Sequence, residues 1–137
     1  MATIFTKIVN REIPAHIVYE DDLVIAFLDI SQATPGHTLV VPKQEYKNIF
    51  ELDEKISNHL FSVVVKLAKA INLSLKPKGL NILNNNEAVA GQTVFHYHIH
   101  LIPRYDAEDV TFKLVDHSKQ LDHSVLSKRA DLIKSAL

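Results

Sequence analysis

The chain has 137 residues, 47% of them apolar, a formal net charge of −1 at pH 7 and no cysteine. This length and apolar content fit a single domain over residues 1–137 with its own hydrophobic core, and the lack of cysteine excludes disulfides and thiolate zinc sites. Positive and negative charges are interspersed, so no basic surface for nucleic acid is predicted. No segment approaches the ~18 apolar residues of a membrane span, and the N-terminus has no signal-peptide pattern. We therefore expect a soluble cytoplasmic protein that binds neither nucleic acid nor membrane.

Short strand signals dominate the first third of the chain. Residues 17–20 and 23–28 have the composition of two strands joined by an acidic turn, which predicts a β-hairpin. Turn residues at 34–36 precede a β-rich run over residues 37–41, which Pro42 closes because proline cannot donate to a strand ladder. We therefore expect His37 to open a strand.

A long amphipathic helix is predicted from Asp53 to about Leu75. Apolar residues recur there at helical spacing, and Asp53 and Glu54 suit its first turn. An adjoining stripe makes the apolar arc broader than a small sheet would cover: Phe61, Val65 and Ala68. This width predicts that the helix packs against a second subunit.

Three further elements are predicted in the second half of the chain. Gly79 is expected to end the long helix, and residues 80–83 to form a short strand that runs into three asparagines. Residues 110–115 are a candidate strand, and residues 121–136 are predicted to form a helix.

Three histidines at strict alternation are the most informative feature: His96, His98 and His100. Because a β-strand has a side-chain period of two, the three imidazoles are predicted to leave one face while the residues between them bury the other. Histidine makes up only 8 of the 137 residues, so chance explains the pattern poorly. The pattern favours chemistry over a solvated strand face.

Two kinds of chemistry fit such histidines. A metal is one, but along a strand His96 and His100 would lie about 13 Å apart, and no acidic residue or cysteine within the motif completes a ligand shell. The other is nucleophilic attack by a neutral imidazole on phosphorus, giving a phospho-linked histidine that water later cleaves. Nucleophilic chemistry is favoured, and a metal-binding module remains the alternative; no metal or cofactor is predicted.

A phosphate-binding segment is predicted just before the histidines. Gly91 is one of only three glycines, and it opens the sequence Gly91-Gln92-Thr93. Glycine lets backbone approach a ligand, and the amides that follow, with the Thr93 hydroxyl, can cradle an anion; a plain turn glycine is the alternative. Asn85 can supply an amide donor, and His96 or His100 a charge-assisted one.

These segments resemble the histidine triad (HIT) family, and most closely its Hint branch of bacterial type. The family signature alternates three histidines with apolar residues, as residues 96–102 do. The similarity extends to five other segments: residues 3–8, 26–31, 35–43, 84–86 and 90–96. It covers about residues 3–105.

The resemblance implies an α+β, HIT-like fold: a five-stranded antiparallel sheet with one long helix and a C-terminal helix. Two copies would join across a two-fold axis into a homodimer with a ten-stranded sheet. Residues 3–105 would form the core of the domain, and residues 106–137 a C-terminal extension that does not follow the family pattern.

The resemblance also implies roles for four histidines. His98 matches the nucleophile that attacks a nucleotide α-phosphate and forms a nucleotidyl-histidine. His100 and His37 match residues that orient the phosphate and relay protons. His96 matches a supporting member of the triad, oriented by packing.

Substrate contacts are implied in the same way. Matches to phosphate and leaving-group contacts are Asn85, Gly91, Gln92 and Thr93. Asp29 matches the acceptor of the ribose hydroxyls, although it could merely cap a turn. Matches to the apolar slot for a purine ring are Phe5, Ile8, Phe27 and Ile30, which would otherwise be ordinary core residues.

The chain departs from the family pattern at two places. Thr3 and Thr6 stand where some relatives carry a Cys-x-x-Cys zinc pair, so no zinc site is expected. Glu87 follows the asparagine run where relatives usually have glycine, which affects the backbone of that loop.

The implied function is a purine nucleotide-binding hydrolase that cleaves nucleoside 5′-phosphoramidates, or related nucleotidyl conjugates, to the nucleoside monophosphate. A histidine at the third triad position favours hydrolysis over the transferase branch, which has glutamine there. The alternatives are a dinucleoside polyphosphate hydrolase of Fhit type and a nucleotide-binding adaptor whose activity is incidental.

Overall fold

The computed structural model describes residues 2–137. Its helices are α1 (Ile4–Val9), α2 (Glu54–Leu75) and α3 (His123–Ser135), and its strands are β1 (Ile17–Glu20), β2 (Val24–Leu28), β3 (Thr38–Pro42), β4 (Gly79–Leu83) and β5 (Ile99–Arg104). The strands form one antiparallel sheet in the order β1-β2-β3-β5-β4. The expected α+β fold with a five-stranded antiparallel sheet is therefore confirmed.

The long helix α2 covers one face of the sheet. Asp53 caps it by accepting hydrogen bonds from the backbone N–H groups of Lys55 and Ile56. Its buried stripe packs on the alternate residues of the central strands: Leu60, Val63, Val64, Leu67 and Ile71 against Val24, Ala26, Val40, Ile99 and Leu101. Lys76, in a left-handed conformation, ends the helix. The prediction that Gly79 ends it is wrong, because Gly79 begins β4.

The short helix α1 covers part of the other face. Phe5 and Ile8 of α1 pack against the opposite side chains of the central strands, which are Ile25, Phe27, Leu39 and Val41. Thr3 and Thr6 form a reciprocal capping box at the start of α1. Both faces of the central strands are thus buried.

Only part of the histidine segment belongs to the sheet, whereas the whole segment was predicted to be a strand. Strand β5 begins at Ile99, so His96 and His98 precede it. The backbone N–H of Tyr97 donates to Tyr46 O at 2.6 Å, outside the sheet ladder. The side chains still alternate, since Tyr97 packs with the α2 face while the rings of His96 and His98 contact Phe5 of α1.

The C-terminal extension packs little against the rest of the chain. The candidate strand at 110–115 is wrong: these residues form no strand, and Leu114 is 92% exposed. The predicted helix at 121–136 is confirmed as α3, which contains no buried residue. Among residues 2–137, no helix has both the length and the apolar character needed to cross a membrane.

Candidate active site

A cleft of about 270 Å³ opens between α1, the end of β2 and the histidine segment. Eight of the residues predicted for the site line it: Phe5, Ile8, Phe27, Asp29, Ile30, Thr93, His98 and His100. Sequence reasoning missed seven others: Ile4, Ile13, Pro14, Ala15, Leu28, Leu39 and Val94. No local signal marks them, because only the packing of α1 on the sheet makes them neighbours.

The His98 ring is held in one tautomer. Its Nδ1 lies 2.7 Å from the carbonyl oxygen of His96, and since a carbonyl only accepts, Nδ1 carries the proton. Burial lowers the pKa of His98, so the ring is neutral at pH 7 and Nε2 keeps its lone pair. The edge of the Phe5 ring packs against it at a centroid distance of 5.0 Å. The arrangement presents an uncharged nitrogen nucleophile in the cleft.

His37 and His100 form a directed hydrogen-bonded chain. Leu39 pairs with His100 across β3 and β5, so His37, two positions away on the same face, is a diagonal neighbour of His100. The N–H of Ala33 donates to His37 Nδ1 at 3.2 Å, which leaves the ring proton on Nε2. His37 Nε2 then donates to His100 Nδ1 at 2.9 Å. His100 therefore carries its own proton on Nε2.

Burial also sets the charge of this pair. Burial, with smaller contributions from His98 and His37, lowers the pKa of His100 to about 4. It lowers the pKa of His37 as well, which the nearby carboxylate of Asp29 partly opposes. Without a ligand, both rings are therefore neutral at pH 7, and an anion bound beside them would favour a protonated pair.

Asp29 follows β2 at the mouth of the cleft. One carboxylate oxygen accepts from the Ser31 N–H at 2.8 Å and from the Ser31 hydroxyl at 2.5 Å. The other lies 3.8 Å from His37 Nε2. Burial raises the pKa of Asp29, but the Ser31 hydrogen bonds together with the nearby His37 and His100 lower it by more, so the group is ionised at pH 7. Ile30, next to it, is 92% exposed at the rim.

One cluster has the composition of a metal site. Asp29, His37 and His100 each offer a ligand atom, and these atoms lie within 4.8 Å of one another. The facing nitrogens of the two histidines share a proton at hydrogen-bond distance, so their lone pairs do not converge on a common point beside them. We interpret the cluster as a proton-sharing group rather than a cation site.

His96 lies fully buried beneath the cleft, outside its lining. Its Nε2 donates to Pro42 O at 2.8 Å, which leaves Nδ1 as an acceptor, and the Thr3 hydroxyl lies 3.1 Å from Nδ1. The hydroxyls of Thr3 and Thr6 are 3.3 Å apart, and Thr6 donates to Glu45 at 2.6 Å. A hydrogen-bonded network thus occupies the positions of the absent Cys-x-x-Cys pair, which are Thr3 and Thr6 in this chain.

The loop over residues 84–93 lies beside the cleft and contributes Thr93 to its lining. Asn85 Nδ2 is 3.5 Å from Gly91 O, and Gly91 has a φ of +94°, which favours glycine. The Gln92 side chain is buried and turned into the loop: it donates to Lys47 O at 2.7 Å and accepts from the Glu87 N–H at 2.8 Å. Asn85, Gly91 and Gln92 are not among the residues that line the cleft.

Asn84 is a positioning residue that sequence reasoning did not single out. Its side-chain amide donates to the backbone carbonyl of His98 at 2.9 Å. The run of three asparagines before the loop was the available signal. Asn84 thus ties the loop to the segment that carries His98.

Comparisons with known proteins agree on one family. A sequence model described as the HIT domain matches residues 10–107. Protein hit of Bacillus subtilis is 53% identical over 106 residues, which are 77% of this chain and 73% of that protein. A crystal structure of a HIT family member from Bacillus subtilis superposes with a TM-score of 0.95 and 43% identity, covering 100% of this chain and 98% of that chain.

A more distant relative carries an enzyme name. Adenylylsulfatase HINT3 of Arabidopsis thaliana is 36% identical over 121 residues, which are 87% of this chain and 61% of that protein. Its name concerns that protein's own substrate, an adenylyl compound.

Proposed function

The chain belongs to the histidine triad (HIT) family, and we propose that it is a purine nucleotide-binding hydrolase that cleaves nucleoside 5′-phosphoramidates, or related nucleotidyl conjugates, to the nucleoside monophosphate. The observation that carries the proposal is the state of His98. A buried, neutral imidazole with its Nδ1 proton on a carbonyl presents Nε2 for attack on phosphorus. The adenylylsulfatase name of one relative supports an adenylyl substrate.

In the first step, His98 Nε2 bonds to phosphorus and the bond from phosphorus to the leaving nitrogen breaks. The positive charge that develops on the ring is stabilised by the carbonyl oxygen of His96, 2.7 Å from Nδ1. The leaving amine takes a proton from the His37–His100 pair, which the bound phosphate anion and Asp29 favour in its protonated form.

In the second step, water attacks the phosphorus of the nucleotidyl-histidine. The bond between phosphorus and His98 Nε2 breaks, and the proton of the water returns to the His37–His100 pair. The pair is thereby ready for another turnover, and the products are the amine and the nucleoside monophosphate. Neither step needs a metal, and the cycle should therefore run in EDTA.

The cleft supplies contacts for a nucleoside. We assign the purine to the apolar walls, formed by Phe5, Ile8, Phe27 and Ile30. The carboxylate oxygen of Asp29 that does not contact Ser31 is assigned to the ribose hydroxyls. We assign Thr93, which lines the cleft, as a donor to the phosphate oxygens, together with Asn85 and the Gly91 backbone of the same loop. The buried Gln92 side chain supports this loop.

A dinucleoside polyphosphate hydrolase would use the same nucleophile. Its leaving group is a polyphosphate, which needs cationic stabilisation rather than a proton. No lysine or arginine is among the residues that line the cleft. This favours the phosphoramidate as substrate.

We also propose a homodimer with a ten-stranded sheet. Strand β4 is an edge of the sheet, with Ile82 half exposed on it. On α2, Phe61 is 49% and Val65 43% exposed, and these side chains extend the apolar arc beyond the sheet. A two-fold pairing through α2 and β4 would cover both features.

The deciding experiment compares two substrates on one preparation in EDTA. We expect the kcat/KM for adenosine 5′-phosphoramidates, with guanosine analogues in parallel, to exceed that for dinucleoside polyphosphates. A tenfold preference for the polyphosphate would reverse the assignment. Slow turnover on every nucleotide, with tight nucleotide binding, would favour the adaptor.

A further inference from the structure

We infer that Thr3 is a positioning residue for the nucleophile, acting through the ring of His96. Thr3 lies 93 positions before His96 in the sequence, and it is not itself among the residues that line the cleft. The expected effect of Thr3 on catalysis rests on the proposed function. Its expected effect on the position of the His98 ring rests on the hydrogen-bond geometry alone.

The direction of each hydrogen bond follows from what each atom can do. Pro42 O only accepts, so the proton of the neutral His96 ring lies on Nε2 and Nδ1 must accept. Among residues 2–137, the donor within hydrogen-bond distance of Nδ1 is the Thr3 hydroxyl, at 3.1 Å. The Thr3 oxygen in turn accepts from the Thr6 backbone N–H at 3.3 Å. The Thr6 hydroxyl, 3.3 Å away, is another possible acceptor, but a Thr3 proton directed there would leave the buried Nδ1 of His96 without a donor. We therefore assign the hydroxyl proton of Thr3 to His96.

His96 is held at both ring nitrogens, and its own carbonyl holds the nucleophile. With 0% of the residue exposed, no water reaches the ring to replace a missing donor. Loss of the Thr3 hydroxyl would leave Nδ1 buried without a partner, and the ring would have to move or change tautomer. A ring that moves, or that repels Pro42 O after a tautomer change, is expected to shift the His96 backbone, whose carbonyl oxygen lies 2.7 Å from His98 Nδ1.

Thr3 has a second role that the experiment must separate from the first. It is the N-cap of α1, and α1 carries Phe5 and Ile8 into the cleft. Thr6 shares the capping role, because its hydroxyl accepts from the Thr3 backbone N–H at 3.0 Å. Within residues 2–137, the hydrogen-bond partners of the His96 ring are Thr3 and Pro42, and Thr6 is not one of them. Thr6→Val therefore disturbs the cap while leaving the bond between Thr3 and His96 in place.

The first measurement uses the free protein and no substrate. The imidazole Nδ1–H proton of His98 is followed by NMR, since it is observable only while a hydrogen bond protects it. We expect the signal to persist in Thr3→Ser and Thr6→Val and to broaden or shift in Thr3→Val, with Thr3→Ala as a second hydroxyl-free variant. An unchanged His98 signal in the hydroxyl-free variants would overturn the inference, whatever the enzyme's activity.

The second measurement separates kcat from KM on the phosphoramidate. We expect Thr3→Val to lower kcat by about tenfold or more with KM little changed, because misplacing a reacting group by a fraction of an ångström acts on the transition state. Thr3→Ser should keep most of kcat, and so should Thr6→Val. Equal losses in Thr3→Val and Thr6→Val would assign the effect to helix capping and overturn the inference. An inactive wild-type protein with the NMR pattern intact would instead count against the hydrolase function.

Discussion

His37 Nε2 donates to His100 Nδ1 across 2.9 Å, which joins two side chains that are 63 positions apart in the sequence. The bond orients His100 with its remaining proton on Nε2, the nitrogen that is free to meet a leaving group. In the proposed reaction the His37–His100 pair is the proton donor. The contribution of the pair to the rate should therefore depend on how much the leaving group needs a proton.

His100→Asn should therefore affect substrates unequally. Hydrolysis of an adenosine phosphoramidate, whose amine must be protonated to leave, should fall by about 10²–10⁴-fold. Hydrolysis of the p-nitrophenyl ester of the same nucleotide should fall much less, because that phenolate leaves without a proton. His59→Asn, on a histidine bonded to Asp21 away from the cleft, is the control. Equal losses on the two substrates would remove His100 from the proton-transfer step.

His98→Ala should abolish turnover and leave nucleotide binding largely intact. In the proposed reaction His98 makes the covalent bond, whereas the cleft walls and the loop over residues 84–93 would hold the nucleotide. Removing a covalent route should lower kcat by at least ~10³-fold. Calorimetry with AMP and a steady-state assay measure the two effects. A variant that retains more than a tenth of the wild-type kcat would show that His98 is not the nucleophile.

Asp21 should make stability depend on acid pH. Burial raises its pKa, but hydrogen bonds from Tyr19, His59 and two backbone N–H groups lower it further, and the net pKa lies well below the usual range. A lowered folded-state pKa stabilises the protein above the unfolded value of about 3.9, and the benefit disappears as the pH falls through the folded value.

We therefore expect Asp21→Asn to lower the free energy of unfolding by roughly 2 kcal/mol at pH 7. The difference from wild type should shrink progressively below about pH 4. Urea unfolding at several pH values measures this, and Asp22→Asn, an exposed neighbour, is the matched control. A difference that is the same at pH 7 and pH 3 would rule out the ionised carboxylate as its source.

Ile82→Asp should convert the proposed dimer into a monomer. The charge would lie on the half-exposed face of the edge strand β4, where the second copy is proposed to pair. Leu23→Asp, also on a partly exposed residue but at the turn between β1 and β2, should leave the mass unchanged. Light scattering at micromolar concentration gives the result, and a monomeric wild-type protein would refute the dimer.

At position 87, a glycine variant should be more stable than an alanine variant, which is the reverse of the usual order. Its φ of +77° and ψ of +155° lie in a region that glycine adopts and other residues rarely do. The strained backbone is held by the Glu87 side chain, which bonds Asn48 Nδ2 and Lys47 Nζ, each at 2.9 Å.

Both Glu87→Ala and Glu87→Gly remove these two bonds, but only glycine also releases the strain. We expect the glycine variant to be about 1 kcal/mol more stable than the alanine variant in urea unfolding. The opposite order would mean that the backbone at residue 87 is not strained in solution.

Periodicity determined the parts of the fold in which local pattern and packing agree. The 3.6-residue spacing of apolar residues was enough to locate α2 at Glu54–Leu75, because its buried stripe is the same stripe that packs on the sheet. The period of two was enough to separate the histidines from the core side chains between them, although the first two precede β5. Both patterns indicate which side of a helix or strand packs against the core.

Periodicity could not predict the structure of very short segments or of segments without a strand partner. Helix α1 has only six residues, too few to show a helical period, and its boundaries depend on the Thr3–Thr6 capping box. The β-rich run at 110–115 has no strand partner in the described chain, so propensity alone did not make it a strand.

The sequence by itself supplied the residue types of the proposed site: alternating histidines, a loop opened by glycine and, through the resemblance to the HIT family, a carboxylate proposed for a diol. Tertiary structure alone decided how they act together. Sheet register places His37 diagonal to His100, and the backbone N–H of Asp29 continues the ladder by donating to His37 O at 3.0 Å. Which nitrogen carries each ring proton follows from donors and acceptors on other segments, and no local pattern encodes those contacts, because hydrogen-bond partners distant in sequence meet only when the chain folds.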